Sequence, residues 1–171
     1  MKKDIVAGLG EIGSPIFKII SKNQLVVGYD IDKSLMNKSK FKKVNSLETS
    51  FLHIAIPVSQ KFSQNIIKLY KQFKPECIVI HSTISPGTTK QLQKKLPIPI
   101  IYSATRGVHK RMLHDLKRYK KYFAISNNAP RKAWAISQYK KKMKKSGINT
   151  KMMKKPETLE FYKHYENEYY Y

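Results

Sequence analysis

The sequence has few of the residues that build disulfide-rich or metal-rich proteins. A single cysteine, Cys77, excludes an internal disulfide and a cysteine-rich zinc site. The five histidines show no spacing typical of metal ligands, so we predict no bound metal. His53 and His81 fall within apolar segments and are expected to be core residues.

Long hydrophobic runs are also missing. No apolar segment approaches the roughly 18 to 20 residues that cross a bilayer, so we expect no membrane span. Near the amino terminus, the apolar stretch that starts at Ile5 is interrupted by Gly8, Gly10 and Glu11 before a signal-peptide core is complete. We therefore interpret this stretch as a first strand and expect a soluble protein of the cytoplasm.

Acidic residues are scarce, and this gives the chain its high positive charge. Only 11 Asp and Glu stand against 34 Lys and Arg, and the net charge is +23 at pH 7. Such a charge attracts nucleic acid and anionic membranes. Only four of the basic residues are arginine, which recognises phosphates and bases most specifically. We therefore favour a solvated lysine surface and keep a polyanion-binding protein as the less favoured alternative.

The apolar residues alternate between short β-branched runs and longer helical stripes, which is typical of βαβ units. This pattern predicts an α/β fold of Rossmann type, with a doubly wound, mostly parallel sheet of six or seven strands and helices on both faces. In one predicted helix, Met112, Leu113 and Leu116 are expected to point inward. The predicted strands cover residues 4–8, 25–29, 51–56, 77–81, 100–103, 122–126 and, as a seventh, 148–153; the predicted helices cover 12–21, 59–73, 86–96, 110–119, 131–145 and 156–171.

Three glycines after the first strand carry the main functional signal. Gly8, Gly10 and Gly13 have the spacing G-x-G-x-x-G, between an apolar strand and an amphipathic helix. The first would allow a tight turn, the second a close approach of a diphosphate, and the third close packing of helix on strand. Backbone amides near Glu11 and Ile12 would then face the diphosphate. The alternative is a turn with no ligand.

An acidic residue follows at the expected distance. Asp30 lies 22 positions after Gly8, at the end of the second predicted strand, where it could accept hydrogen bonds from the adenine ribose. Its charge would repel the 2′-phosphate of NADP, so NAD is the predicted dinucleotide. Lys33 lies close enough to bind the coenzyme too and to weaken this preference, and Asp32 could share the ribose role.

Four segments occur in a characteristic order along the chain: residues 8–13, 27–32, 54–57 and 81–89. Together they make the chain resemble the N-terminal domain of the UDP-glucose/GDP-mannose dehydrogenase family. The Ser-Thr-x-x-Pro-Gly-Thr stretch within residues 81–89 is the more specific signal, because 6-phosphogluconate and 3-hydroxyacid dehydrogenases share the glycine turn. The resemblance covers roughly residues 3–126 and is looser beyond them.

The resemblance implies positions for the coenzyme. Ile56 and Pro57 would border it, and Ser82 and Thr83 would lie beside the nicotinamide. Thr83 would orient a water or a substrate group near the reacting carbon. The alternative for Thr83 is a hydroxyl that caps the strand end or the next helix.

The chain departs from the family in its catalytic residues. Family members oxidise a sugar C6 alcohol to a carboxylate with a cysteine nucleophile and with lysine and asparagine from a later domain, which we expect to be absent from this chain. Cys77 starts a buried strand and is expected to be a core residue. The family's glutamate after the fifth strand is replaced by Thr105 or Arg106. These departures make turnover by this chain uncertain.

The loop after the fifth predicted strand holds further candidates. Arg106 could pair with a substrate phosphate, and His109 could move a proton. The alternative is a solvated loop before a helix.

The resemblance also assigns the ends of the domain. Residues 1–155 would form the NAD-binding domain, and residues 156–171 would start the helix that links it to a second domain. This helix would expose Phe161, Tyr165 and residues 169–171, so we expect a second copy or another chain to cover it. The favoured function is an NAD-dependent oxidoreductase of the nucleotide-sugar dehydrogenase type, and the alternative is a non-catalytic dinucleotide-binding module.

Overall fold

The structure is a computed structural model that describes residues 1–107 and 109–170; for His109 and residues 167–170 it describes the backbone alone. Within these residues, strands and helices alternate along the chain. The strands are β1 (Lys3–Ala7), β2 (Val26–Tyr29), β3 (Thr49–Ile54), β4 (Cys77–Ile80), β5 (Ile100–Tyr102), β6 (Lys121–Ile125) and β7 (Thr150–Met152). The helices are α1 (Gly13–Ile20), α2 (Lys38–Lys43), α3 (Phe62–Phe73), α4 (Thr88–Lys95), α5 (Met112–Arg118), α6 (Lys132–Lys145) and α7 (Pro156–Tyr170).

The strands form a single seven-stranded sheet with the order β2-β1-β3-β4-β5-β6-β7. Neighbouring strands from β2 to β5 are parallel, β6 is antiparallel to β5, and β7 is parallel to β6. The predicted doubly wound, mostly parallel sheet is therefore confirmed. Because β2 and β3 pair on opposite sides of β1, the chain reverses its direction across the sheet there. Such a switch point opens a crevice at the carboxyl ends of β1 and β3.

Both faces of the sheet are covered. One apolar core lies between the sheet and α3, α4 and α7, and the other lies between the sheet and α1, α5 and α6. Successive strand residues alternate between them, so that Ile5 and Leu52 pack on the first side and Val6 and Phe51 on the second. Burial on both sides explains why the strands read as nearly continuous apolar runs. No helix of the described chain is both long and apolar enough to span a bilayer.

Two local features differ from the prediction. Leu113 was expected to point inward but is 44% exposed, while Met112 and Leu116 are buried. Met112 and Leu116 are four residues apart and share one face of α5, and Leu113 is turned away from that face. The second difference is α2, which follows a 3₁₀ turn at Lys33–Leu35; neither element buries a residue, so neither leaves an apolar stripe in the sequence.

Candidate dinucleotide site

The turn between β1 and α1 needs glycine at two positions. Gly8 has a φ of +93°, and a Cβ there would lie 2.5 Å from the backbone oxygen of Ala55. A Cβ at Gly13 would lie 1.6 Å from the backbone oxygen of Gly8. Because neither position accommodates a side chain, the turn packs directly on the end of β3 and α1 starts directly from the turn.

The outer side of the turn is open. A Cβ on Gly10 would meet no atom within 4 Å. α1 starts three residues later, and no side chain among the described residues caps it. The positive end of the helix dipole and the first-turn amides therefore border a space in which an anion can bind.

Asp30 lies directly against this turn. The Leu9 amide donates to Oδ2 of Asp30 over 2.8 Å, and the Asp32 amide donates to Oδ1 over 2.9 Å. The carboxylate at the end of β2 and the glycine turn after β1 are thus joined at one edge of the sheet. Both carboxylate oxygens keep lone pairs that can accept further hydrogen bonds.

The neighbours of Asp30 have local partners. Oδ1 of Asp32 accepts from the Ser34 amide at 3.0 Å and from its hydroxyl at 2.7 Å, and these hydrogen bonds lower the pKa of Asp32. The Lys33 ammonium donates to the backbone oxygen of Asp30 at 3.1 Å and lies 4.3 Å from the centre of the Tyr29 ring. Asp32 therefore caps the 3₁₀ turn, whereas Lys33 keeps a positive charge beside Asp30.

The loops after β3 and β4 form the other side of the crevice. The Ser82 hydroxyl donates to the backbone oxygen of Ile56 at 2.7 Å and ties the ends of the two strands together. Ile56 and Thr83 are half-buried, and Pro57 is exposed. The Ser82 hydroxyl thus has a structural role, and the contacts of these four residues with a coenzyme stay predictions.

Two apolar side chains are exposed at the same edge of the sheet. Ile31 follows β2 and is 87% exposed, and Val58 follows β3 and is 50% exposed. Their strands lie on either side of β1. The turn is therefore flanked by apolar surface that a flat aromatic ligand could cover.

Arg106 is already held by protein groups. Its Nε lies 3.8 Å from a carboxylate oxygen of Glu166 on α7, and its guanidinium carbon lies 5.3 Å from the centre of the Tyr119 ring. The side chain is half exposed, so one side of it remains accessible. The side chain of His109 lies outside the described residues, and its predicted role stays a prediction.

A carboxylate from α7 holds the start of α4. Glu160 is fully buried, and its two oxygens accept from the amides of Gly87, at 2.5 Å, and Thr89, at 3.1 Å. Burial raises the pKa of Glu160, although these hydrogen bonds favour the ionised form. The position of α7 therefore fixes the loop that carries Ser82 and Thr83. The sequence did not indicate this contact, because the partners lie 73 and 71 residues away.

A buried lysine lies at the carboxyl end of β5. The ammonium nitrogen of Lys121, at the start of β6, is 2.7 Å from the backbone oxygen of Ser103 and 3.1 Å from the hydroxyl of Thr105. Burial, together with the nearby charge of Lys163, holds the pKa of Lys121 well below the usual lysine value. Lys121 was not predicted from the sequence, because nothing in its spacing distinguishes it from the exposed lysines.

The predicted core residues are confirmed. Cys77, His53 and His81 are all buried, and burial raises the pKa of the Cys77 thiol well above its usual range. The thiol is therefore protonated and inaccessible, which excludes it as a nucleophile. The His, Cys, Asp and Glu side chains of the described chain form no group of three or more that could hold a metal ion.

The fold is that of a Rossmann-type domain, and solved structures with a similar fold include dehydrogenases. UDP-D-ManNAc dehydrogenase from Pyrococcus horikoshii is similar, with a TM-score of 0.75 and 18% identity over 96% of this chain and 50% of that one. The UDP-N-acetyl-mannosamine dehydrogenase Cap5O from Staphylococcus aureus has a TM-score of 0.70 and 19% identity over 98% and 51%. Prephenate dehydrogenase from A. aeolicus, in complex with hydroxyphenyl propionate and NAD+, has a TM-score of 0.70 and 16% identity over 95% and 62%.

These similarities confirm the resemblance to nucleotide-sugar dehydrogenases at the level of the fold. The chain spans about half the length of the first two structures. Its sequence matches no protein-family model and no curated protein.

Proposed function

We propose that this chain is the NAD-binding domain of a dehydrogenase that oxidises an alcohol of a nucleotide sugar. The observation that supports this proposal is the 2.8 Å hydrogen bond from the Leu9 amide to Asp30, which puts an anion-binding turn beside a carboxylate. A dinucleotide carries the matching groups, a diphosphate next to a ribose. Residues 1–155 would form this domain, and residues 156–171 would begin a helix that links it to a second one.

The geometry supports one orientation of the coenzyme. The diphosphate would lie over Gly10, with the amides near Glu11 and Ile12 as donors. Asp30 would accept from the adenine ribose, and the adenine would lie between the exposed side chains of Ile31 and Val58. The nicotinamide would then extend over Ile56 and Pro57 toward Ser82 and Thr83.

Asp30 also supports NAD rather than NADP as the coenzyme. A 2′-phosphate would lie against its carboxylate, where two like charges repel and lose their hydration. The Lys33 ammonium, which is 3.1 Å from the backbone oxygen of Asp30, would offset part of this repulsion. We therefore expect a preference for NAD that is finite rather than absolute.

In the proposed reaction, bound NAD would accept a hydride from a sugar carbinol at its nicotinamide ring. The residues of this chain would hold the coenzyme and shape the substrate side of the crevice. Arg106 would contact a substrate phosphate with its accessible side, His109 would contact the sugar, and Thr83 would orient the reacting group. Because Cys77 is the single cysteine and is buried, a cysteine nucleophile for a full oxidation to the acid would come from another chain or domain.

A non-catalytic dinucleotide-binding module is the second candidate. It is favoured by Arg106, whose charge is already matched by Glu166, and by the inaccessible thiol of Cys77. Such a protein would keep the coenzyme site and lack turnover.

The decisive experiment is a calorimetric titration of NAD and NADP into four proteins. Because a side chain at Gly10 meets empty space in the free protein, Gly10→Val should fold normally and still block the diphosphate. We expect it to weaken NAD binding by ~100-fold or more, about 2.7 kcal/mol. Asp30→Ala should weaken NAD by roughly 10-fold, the loss of one charged hydrogen bond, and reduce the preference over NADP.

Asp32→Ala is the matched control, because the Asp32 carboxylate already accepts hydrogen bonds from Ser34. This substitution is expected to leave the NAD affinity within about twofold of wild type. Equal affinity of wild type and Gly10→Val would disprove the proposed site. Loss of binding in ~0.5 M salt, with no effect of Gly10→Val, would instead favour the polyanion-binding alternative.

Turnover separates the two candidate functions. Wild type with NAD and UDP-glucose or UDP-N-acetyl-mannosamine should produce NADH, measured by its absorbance. NAD binding without NADH formation from any sugar would favour the non-catalytic module.

A further inference from the structure

A buried row of titratable side chains, Asp4, His53 and His81, crosses the sheet beneath α1 and α6. His53 on β3 and His81, just after β4, are 0% and 1% exposed, and Nδ1 of His53 lies 2.9 Å from Nε2 of His81. Nε2 of His53 faces Oδ2 of Asp4 on β1 at 3.8 Å. At the other end, the backbone of Ser103 faces the His81 ring. This row of side chains thus runs from the start of β1 to the edge of the sheet that carries the crevice.

The row of Asp4, His53 and His81 holds one proton fewer than it has gaps between neighbouring groups. It contains three gaps, Asp4 to His53, His53 to His81, and His81 to the Ser103 backbone, and each gap needs one proton for a donor to face an acceptor. Only the His53–His81 gap, at 2.9 Å, has the length of a hydrogen bond, whereas Asp4 and His53 are at an ion-pair distance of 3.8 Å. Both ends are acceptors, and two neutral imidazoles supply one N–H each. One gap therefore stays unfilled, and the two outer nitrogens, Nε2 of His53 and Nδ1 of His81, lack a well-formed hydrogen bond to any described residue.

One added proton would place a proton in every gap of this row. With one more proton in the two rings, a donor faces an acceptor in all three gaps, and the positive charge lies 3.8 Å from the Asp4 carboxylate. A buried nitrogen without a partner is unfavourable, and a proton on His53 that faces the Asp4 carboxylate reduces this penalty. Geometry therefore favours proton uptake.

Burial and neighbouring cations oppose proton uptake. Burial, and next the charge of Lys121, lower the pKa of His81. The Lys142 ammonium lies 3.0 Å from Oδ2 of Asp4 and neutralises part of that carboxylate. The charged or titratable groups that face this row from the surrounding elements are Asp4 on β1, Cys77 on β4, Lys121 on β6, and Tyr139 and Lys142 on α6.

We propose that Asp4, His53 and His81 form a proton site that takes up one proton shared by both rings and, on the basis of the proposed function, accepts the proton released by alcohol oxidation. In that reaction the C–H bond of the carbinol breaks and its electron pair moves as hydride to NAD+. The O–H bond breaks and its proton passes to the site, so the products are a carbonyl, NADH and the protonated site. His81 is buried and immediately precedes Ser82 in the sequence, so this end of the site lies one residue from the expected nicotinamide position.

The proton site itself is tested without coenzyme, by 15N NMR of histidine-labelled wild type across a pH series. We expect the ring nitrogens of His53 and His81 to shift together, with one midpoint and one proton taken up. His53→Asn and His81→Asn should each abolish this joint transition, while the matched control His114→Asn, a histidine that is 70% exposed on α5, leaves it in place. The wild-type spectra decide the proposal even if a variant fails to fold. Separate midpoints for the two rings, or no change in either ring between about pH 5 and 8, would overturn it.

The link to the reaction is tested by the same titration with bound NAD+ and with bound NADH. The two coenzymes differ by one positive charge on the nicotinamide, so the joint midpoint should be higher in the NADH complex. Equal midpoints would overturn the acceptor role. If neither coenzyme binds, the proposed function and the acceptor role both fall, whereas the titration of the free protein still decides whether the proton site exists.

Discussion

At the scale of single residues, three glycines of one turn are expected to respond differently to the same substitution. Gly8→Ala and Gly13→Ala place a methyl group 2.5 Å and 1.6 Å from backbone oxygens, and each should lower the free energy of unfolding by more than about 2 kcal/mol. Gly10→Ala meets nothing and should change it by less than about 1 kcal/mol. Urea denaturation measures all three, and equal losses would contradict the geometry of the turn.

The same residues show what a sequence reveals at this scale. Gly8, Gly13 and Asp30 were predicted because their roles follow from short spacing and from backbone geometry that glycine alone permits. Lys121 and Glu160 were not predicted, because tertiary folding brings their partners near. These are the Ser103 backbone oxygen and the Thr105 hydroxyl for Lys121, and two backbone amides for Glu160. A lysine or glutamate in the sequence does not show whether it will be buried.

At the scale of elements, the contact between α7 and α4 makes a testable contribution to stability. Glu160→Ala removes both acceptors of the Gly87 and Thr89 amides and should cost about 2–4 kcal/mol of unfolding free energy. Glu160→Gln keeps one acceptor oxygen and should cost less. Chemical denaturation of both variants at neutral pH measures the difference, and Glu157→Gln, on the same helix, is the matched control.

The pH dependence of this contact has an unusual sign for a carboxylate. Burial raises the pKa of Glu160 in the folded chain above the usual 4.5, so the folded state binds more protons than the unfolded state just above that pH. Its contribution to stability is therefore fully present below pH 4.5 and declines as the pH rises through the folded pKa. Glu160→Gln should abolish this decline in a series of denaturation curves; an unchanged decline would assign it to another group.

The elements also differ in how well they could be predicted. The predicted strands, including the short seventh one, all exist. Strands in the middle of the sheet are recognisable because they are buried on both faces, whereas β7 lies at the edge and is largely exposed. The antiparallel direction of β6 was not specified, since apolar patterning carries no information on strand direction. α2 was missed because it buries no side chain, and Leu113 was misplaced because the pattern did not fix the rotation of α5.

At the scale of the whole molecule, α7 has two different sides. Leu159, Glu160 and Lys163 are buried against the domain, while Phe161, Tyr162 and Tyr165 are exposed. Tyr165 lies three positions after Tyr162 and four after Phe161, so the three side chains form one continuous aromatic face. We propose that in this chain a second copy covers the aromatic face.

The double variant Phe161→Ser/Tyr162→Ser tests this pairing. Each exposed aromatic side chain would contribute about 1.5–3 kcal/mol when buried between two copies, so removing both should weaken association roughly 100-fold or more. Light scattering over a range of protein concentrations should show a dimer for wild type and a monomer for the variant. Leu113→Ser is the control, because Leu113 is 44% exposed on α5 and its loss should leave the dimer intact. A wild-type monomer at every concentration would rule out the second copy, and equal weakening by both variants would indicate unspecific adhesion instead of a defined interface.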